Sequence, residues 1–328
     1  MYKGWKDILL ALLLGFVLPS IIVVYISKAG NDIKKLPGPT EGNQNEYLEE
    51  SRIMIPVLLD DGTVADLELN DYLTSVLLRE MPADFEMEAL KAQAVVARTY
   101  TLRRLKYSAK HDTAVVCTDS GCCQGYYSQK AYLQDGGSME SVQKMSSAVL
   151  ETSDEVLVYN NQLIEATYFS CSGGMTEDAV AVWGSDIPYL VATESPGEEN
   201  AAHYTDTLTL SITEFAQKLD IKIPEKHVQL VEAVSYTSGG GVDEIRICGR
   251  AYRGTQLRQL LGLRSTAFVI SVVGDTVTIT TKGFGHRVGM SQYGADAMAV
   301  GGNTYRQILS HYYRGTELIS FTEIDNDI

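Results

Sequence analysis

Glu80 occupies a position that a helix would give to another leucine. The run Asn70-Asp71-Tyr72-Leu73-Thr74-Ser75-Val76-Leu77-Leu78-Arg79-Glu80 opens with N-capping residue types and carries Leu73, Val76 and Leu77 at helical spacing. Glu80 is the next position on that stripe. A carboxylate held against apolar surface is desolvated, its neutral form is favoured, and it becomes able to donate a proton near neutral pH. Met81-Pro82 ends the helix here, so the side chain stands at the carbonyl end of the macrodipole, which raises the pKa further. The structural alternative is an acid that snorkels from the helix end or pairs with a cation.

A second helix is expected from Phe85 to about Tyr107 with Asp84 as its N-cap, and on it Arg98 shares a face with Leu90, Ala94, Thr101 and Leu105. Two misplaced charges of opposite sign on consecutive helices have two readings. A close Glu80–Arg98 salt bridge would lower the pKa of Glu80 and remove it from acid work. If both instead face one groove, Arg98 could hold a substrate carboxylate while Glu80 transfers a proton.

Three further clusters could carry chemistry. His111, Cys117, Cys122 and Cys123 supply three thiols and an imidazole, a full tetrahedral zinc set, although a disulfide or free thiols fit the same residues. The block Gly283-Phe284-Gly285-His286-Arg287-Val288-Gly289 has the spacing G-x-G-x-x-x-G without a ribose-binding acid in a βαβ unit, which weakens a nucleotide reading. Close approach of its backbone to a ligand, with His286, Ser291, Gln292 and Tyr293 alongside, is the functional reading; a tight turn is the structural one. Phe169-Ser170-Cys171-Ser172-Gly173-Gly174 carries the same ambiguity, with Ser170, Ser172, Gly173 and Gly174 as candidate binding groups. Cys171 and His286 would make a thiol hydrolase only if they met in space.

The elements that must position these groups alternate without a repeat or a βαβ rhythm, so the fold class expected is α+β with mixed sheets and a cleft. Runs at 53–59 and 64–69 flank Asp60-Asp61-Gly62-Thr63 as a hairpin. A short helix is expected at 139–149, strands at 156–159 and 163–170, and a helix at 211–218. Strands follow at 231–237 and 242–248, a helix at 254–261, strands at 267–272 and 276–281, and two closing helices. A loop-rich stretch is expected up to about Thr207.

The chain has 328 residues, 45% of them apolar, enough for a sizeable core. Its net charge of −15 divides into +3 over residues 1–35 and −18 over the remainder. So acidic a body excludes general nucleic-acid binding, and a polymer gripped by it would be held by hydrogen bonds and stacking in a cleft, for which 19 Tyr are suited. Ile8 to Ser27 is uncharged over a membrane-spanning length after Lys3, Trp5 and Lys6, and reads as a single N-terminal transmembrane helix with the acidic body outside, a cleaved signal peptide being the alternative. Residues 1–28 are then the anchor, 29–51 a linker, 52–322 an ectodomain of one or two subdomains, and 323–328 a tail.

The ungapped run from Glu80 to Tyr100 resembles the signature of the stage II sporulation protein D (SpoIID) family, which includes amidase enhancers. The blocks 169–174 and 283–295, followed by Tyr305, Ile308-Leu309 and His311-Tyr312-Tyr313, agree in order, so the resemblance spans about residues 52–320. It implies a membrane-anchored lytic transglycosylase acting on peptidoglycan glycan strands, peptide-denuded, during engulfment in a spore former, on the outer face of the septal membrane. Glu80 matches the family's catalytic acid, and Arg98 matches an Arg associated with activity. One carboxylate suffices if the substrate's own C6 hydroxyl attacks the anomeric carbon, whereas an ordinary glycosidase needs two. Zinc at the cysteine cluster is also implied, although Cys122 stands where relatives have His; with four protein ligands it would be structural. Partners implied are a wall amidase and a membrane scaffold. The alternative is a glycan-binding activator of a wall amidase without catalysis of its own.

Overall fold

The computed structural model describes residues 53–223 and 230–324. The run Ile8–Ser27 and the expected linker lie outside them; among the described residues no helix is long and apolar enough to cross a membrane.

The chain opens on the expected hairpin, β1 (Met54–Leu58) antiparallel to β2 (Val64–Glu68). Its turn is closed by the Asp61 carboxylate, which accepts from the Thr63 backbone N–H at 2.9 Å. Helices α1 (Leu69–Glu80) and α2 (Met87–Tyr107) follow. Next come β3 (Val116–Cys117), α3 (Gln129–Gln134), α4 (Met139–Leu150), β4 (Glu155–Tyr159), β5 (Gln162–Leu163), β6 (Tyr168–Phe169) and α5 (Ala179–Trp183). Neither helix start is capped as its sequence suggests. Helix α1 begins at Leu69 with Glu68 in the N-cap position. Helix α2 begins after Glu86, not Asp84, and its first turn is held from afar: the Asp296 carboxylate accepts from the Glu86 N–H at 2.7 Å. Tertiary contact here replaces a local cap.

A second lobe is then inserted: β7 (Thr205–Ser211), α6 (Ile212–Leu219), β8 (Val231–Tyr236), β9 (Val242–Ile247), β10 (Arg250–Arg253), α7 (Gly254–Leu261), β11 (Ala267–Val273) and β12 (Thr276–Lys282). Its sheets, ordered β10-β9-β8 and β11-β12-β7, enclose their own core around Phe215, Ile245, Ile247, Tyr252, Leu257, Val277 and Ile279. The chain returns through β13 (Met290–Ser291), α8 (Gln292–Val300), α9 (Tyr305–Tyr312) and β14 (Glu317–Ser320). Strand β13 pairs in parallel with β6, and β14 pairs antiparallel with β4, so the returning segment completes the first core.

Helix α2 is the axis of that first core. Ala89, Leu90 and every residue from Ala92 to Leu102 are buried, a pattern too broad for one stripe. Its alanines at 89, 92, 94 and 97 let α1, α4, α8 and α9 approach closely. Large side chains from those partners fill the space, each full burial of a Leu or Val contributing about 1.5–3 kcal/mol. The architecture is α+β with several small sheets; among the described residues only β2-β1-β3 mixes parallel and antiparallel pairing, against the expectation of mixed sheets throughout.

One buried ion pair joins the lobes. Arg287, at φ 67, donates to Glu177 at 3.1 Å, to the carbonyls of Ser172 and Met175, each at 2.7 Å, and to Gly239 of the inserted β8–β9 turn at 2.7 Å. Glu177 in turn accepts from Gly241 N–H and Thr237 Oγ1, both at 2.9 Å. So many charge-assisted bonds offset the desolvation of two buried ions, and loss of either partner would strand the other.

Candidate active site

Helix α1 ends where the sequence places its stop: the Met81 N–H still reaches the Leu77 carbonyl at 3.0 Å, and Met81 itself is extended ahead of Pro82. The following turn is pinned by Lys144, which donates to the carbonyls of Ala83 at 2.9 Å and Phe85 at 2.6 Å. Glu80 is thereby fixed in the wall of an open cleft of about 930 Å³. The cleft is lined by Glu80 and Tyr100 from α1 and α2, the Ser120–Cys123 loop, the segment Glu165–Ser170, Trp183, Arg258 of the inserted lobe, Phe284–His286 and Gln292.

Glu80 is desolvated, and this outweighs the groups that favour its ionised form, so its pKa is raised. Those groups are the Gly125 N–H, which donates to Oε1 at 2.5 Å, the side chains of Gln292 and Tyr168, and the charge of Arg79. Gly125 must be glycine: a Cβ there would lie 2.7 Å from Glu80 Oε1 and 2.7 Å from Arg79 Cγ. Behind the acid, the Tyr168 hydroxyl donates to Gln124 Oε1 at 3.3 Å, and Gln124 Nε2 donates to Thr101 of α2 at 2.9 Å. Gln292 is 5% exposed, and its Nε2 makes no formed hydrogen bond among the described residues. A buried donor so placed beside Glu80 can close on the carboxylate when it ionises.

The second acid in the lining, Glu165, is locked in ion pairs with Arg103 at 3.0 Å and with Arg104. Glu80 is therefore the cleft carboxylate available for proton transfer. His286 sits between Phe169 and Trp183, with ring centroids at 5.5 and 5.3 Å. Burial, and then the charge of Arg258, lower its pKa to about 4, so it is neutral at pH 7. Its Nδ1 accepts from the Val288 N–H at 3.1 Å, which leaves Nε2 as the protonated nitrogen.

Arg98 is neither the ion partner nor the groove neighbour of Glu80. It is fully buried, is absent from the cleft lining, and donates to the carbonyl of Val149 at 2.9 Å and, at 3.4 Å, to Thr152 Oγ1 and the carbonyl of Glu155. It holds the end of α4 and the start of β4 against α2.

Ser172 and Gly173 are likewise removed from ligand duty, because Glu198 occupies them. Its Oε2 accepts from the N–H groups of Ser172 and Gly173 at 2.8 and 3.0 Å, from Ser172 Oγ at 2.8 Å and from Cys171 Sγ at 3.2 Å, while Oε1 accepts from Ser195 Oγ at 2.6 Å. The Gly174 N–H donates to Ser172 Oγ at 2.9 Å. Burial, then Glu198, pushes the Cys171 thiol up to about 12, so a thiol-hydrolase pairing with His286 fails on the nucleophile. Ser170 does line the cleft. Ser291 caps α8 through the Gly294 N–H at 3.3 Å, and Tyr293 packs its ring edge-on against Phe85 at 5.0 Å; neither is in the cleft lining. The glycine block packs closely on protein, since a Cβ on Gly289 would lie 2.1 Å from the Thr167 carbonyl oxygen and one on Gly285 would lie 2.7 Å from Phe169 Cβ, while Phe284–His286 also line the cleft.

His111, Cys117, Cys122 and Cys123 do converge, their ligand atoms all within 4.8 Å of one another. His111 Nε2 lies 3.5 Å from Cys123 Sγ and 3.8 Å from Cys122 Sγ, and the two vicinal sulfurs are 4.0 Å apart and not bonded. A tetrahedron with Zn–S of about 2.3 Å and Zn–N of about 2.0 Å has edges of about 3.5–3.8 Å, so the donor set fits such an ion with small adjustment. The cluster also ends where Gln124 and Gly125 begin, and so anchors the loop that holds Glu80.

Sequence reasoning did not single out Gly125, Gln124, Tyr168, Trp183 or Arg258. Glu198 also escaped, since nothing near residue 198 hints at the loop 171–173 it fills.

The family model described as "SpoIID: Stage II sporulation protein" matches residues 60–159, which include Glu80 and the cysteine cluster. A relative from Bacillus subtilis (strain 168) named "Stage II sporulation protein D" is 41% identical over 278 residues, covering 83% of this chain and 81% of that protein. Its counterpart from Bacillus amyloliquefaciens is 36% identical, covering 92% and 91% respectively. A third relative, named "Amidase enhancer", from Bacillus subtilis (strain 168), is 30% identical; the match covers 76% of this chain and 40% of that longer protein.

Proposed function

Because the chain belongs to the stage II sporulation protein D family, we propose that it is a lytic transglycosylase that cuts peptidoglycan glycan strands, anchored to the sporulating cell's membrane by its N-terminal apolar run. The observation that carries this reading is a raised-pKa carboxyl in an open cleft whose other acid is already paired. A two-carboxylate hydrolysis lacks its second group here, whereas an intramolecular displacement does not need one.

In this reaction the Glu80 carboxyl gives its proton to the glycosidic oxygen between N-acetylmuramic acid and N-acetylglucosamine, and the C1–O bond breaks. The resulting carboxylate then takes the proton of the C6 hydroxyl on the same muramic acid as that oxygen bonds to C1. The product is a 1,6-anhydro sugar, and water is not consumed. The Gly125 N–H and Gln292 stabilise the carboxylate formed midway, while desolvation restores the acid afterwards. Trp183, 43% exposed, offers a stacking surface for a sugar face.

The test is mass spectrometry of peptide-free glycan strands incubated with wild type and with Glu80→Gln. Anhydro-muramic ends formed by wild type and lost in the variant are expected; equal amounts from both would exclude Glu80. A relative's name, "Amidase enhancer", favours a second reading, a glycan-binding protein that stimulates a wall amidase. Absence of anhydro product from wild type, with retained glycan binding, would select it.

The cysteine cluster would hold a structural zinc ion, whose chemistry is charge and geometry alone. His111, Cys117, Cys122 and Cys123 would fix the 120–125 loop. Chelation is expected to lower both thermal stability and glycan cleavage, and no metal by elemental analysis together with no thermal shift would sink the idea.

A further inference from the structure

Four cations line the cleft: Arg79, Arg104, Lys110 and Arg258. Three have work within the protein. Arg104 pairs with Glu165 and lies over the Tyr100 ring at 4.9 Å. Lys110 donates to the Cys122 carbonyl, and Arg79 sits beside Glu80, whose ionised form its charge favours. Arg258 is different. It reaches the cleft from α7 of the inserted lobe, and its one hydrogen bond is from Nε to the Leu263 carbonyl at 3.4 Å. Neither terminal nitrogen has a partner among the described residues, and no carboxylate there acts on its charge. Its charge reaches the uncharged ring of His286, which Phe169 and Trp183 flank. Half-buried in the cleft wall, the guanidinium keeps donors open to an anion that enters the cleft.

On the glycan reading, which this inference rests on, the repeat unit offers one sugar-borne anion. The lactyl ether of muramic acid ends in a carboxylate when no peptide is attached, and in a neutral amide when one is. We propose that Arg258 is a specificity-determining residue that receives the lactyl carboxylate of a peptide-free muramic acid. Two parallel N–H···O bonds suit both partners. The inserted lobe thus contributes selectivity and the first core contributes the acid.

The test uses the full-length chain and three glycans: peptide-free strands, the same strands with lactyl carboxylates converted to methylamides, and peptide-bearing strands. For wild type the methylamide form is expected to raise KM about 10- to 100-fold with kcat little changed. Arg258→Gln should bind both peptide-free forms alike, at the weaker level, and Arg258→Lys should restore part of the difference. Equal KM for the two forms in wild type, or a difference that survives in Arg258→Gln, would overturn the proposal. Tight binding of peptide-bearing strands that Arg258→Gln abolishes would also overturn it, by naming a stem-peptide carboxylate as the ligand. The same comparison is repeated as Kd on Glu80→Gln. Failure of wild type to cut any strand would then refute the catalytic reading alone, while Kd still judges Arg258.

Discussion

Glu80 and Glu198 are carboxylates placed among family-signature residues, yet the protein treats them in opposite ways. Glu198 is 1% exposed and accepts from five donors on Cys171, Ser172, Gly173 and Ser195. Glu80 faces a cleft with one formed hydrogen bond, from Gly125, and a desolvation that its neighbours do not cancel. A carboxylate with its donors filled is mortar for two loops. One left short of donors keeps a proton within reach, and that shortage is what acid catalysis requires.

The sharpest way to break this contrast is to remove each carboxylate in turn. Glu80→Gln should lower the cleavage rate by about 10²–10⁴-fold with the fold intact, read by product formation and circular dichroism. Glu198→Ala should do the reverse. It strands several buried donors and should cost about 3 kcal/mol or more, measured by denaturant unfolding, while kcat of the surviving folded fraction stays near wild type. If Glu198→Ala instead abolished turnover in folded protein, the division between the two acids would be wrong.

A smaller effect tests the shortage itself. Gly125→Ala pushes a methyl group to within 2.7 Å of Glu80 Oε1, so the acid must shift; kcat is expected to fall about 10- to 100-fold. The smallest effect concerns pH. Because the folded-state pKa of Glu80 is raised, its burial costs nothing below the ordinary carboxylate pKa of about 4.3 and destabilises the fold as pH rises through the raised value. Glu80→Gln should therefore match wild-type Tm near pH 4 and exceed it by about 1–3 °C at pH 8. A variant less stable at pH 8 would mean that the ionised side chain is well solvated after all.

The local elements were largely legible. Leu73, Val76 and Leu77 mark the buried face of α1, Met81-Pro82 marks its end, and Asp61-Gly62 marks the first hairpin. The strand β7 was harder to see, because Thr205–Ser211 alternates threonine with only two leucines and its solvent face is uncharged. Placement was legible where one residue type was out of place: Glu80 lines an open cleft, and the His111–Cys123 ligand atoms converge. It was misleading at Arg98, Ser172 and Gly173, since a polar residue in a motif reads alike whether its partner is a ligand or a distant carbonyl or carboxylate. Glu198, Glu177 and the Val149 carbonyl are brought to these groups by tertiary packing alone.

The parallel pairing of β6 with β13 across the inserted lobe also bears on how the protein comes into being. The strands that close the first core, β13 and β14, leave the ribosome only after the entire second lobe. The inserted lobe has its own core and precedes that segment, so it can collapse first, while the Glu80 wall lacks Gln292 until the later segment is made. A nascent chain that has not yet made this segment would therefore carry the acid in a cleft still missing Phe284, Gly285, His286 and Gln292, and on the proposed glycan reading its activity would wait for them.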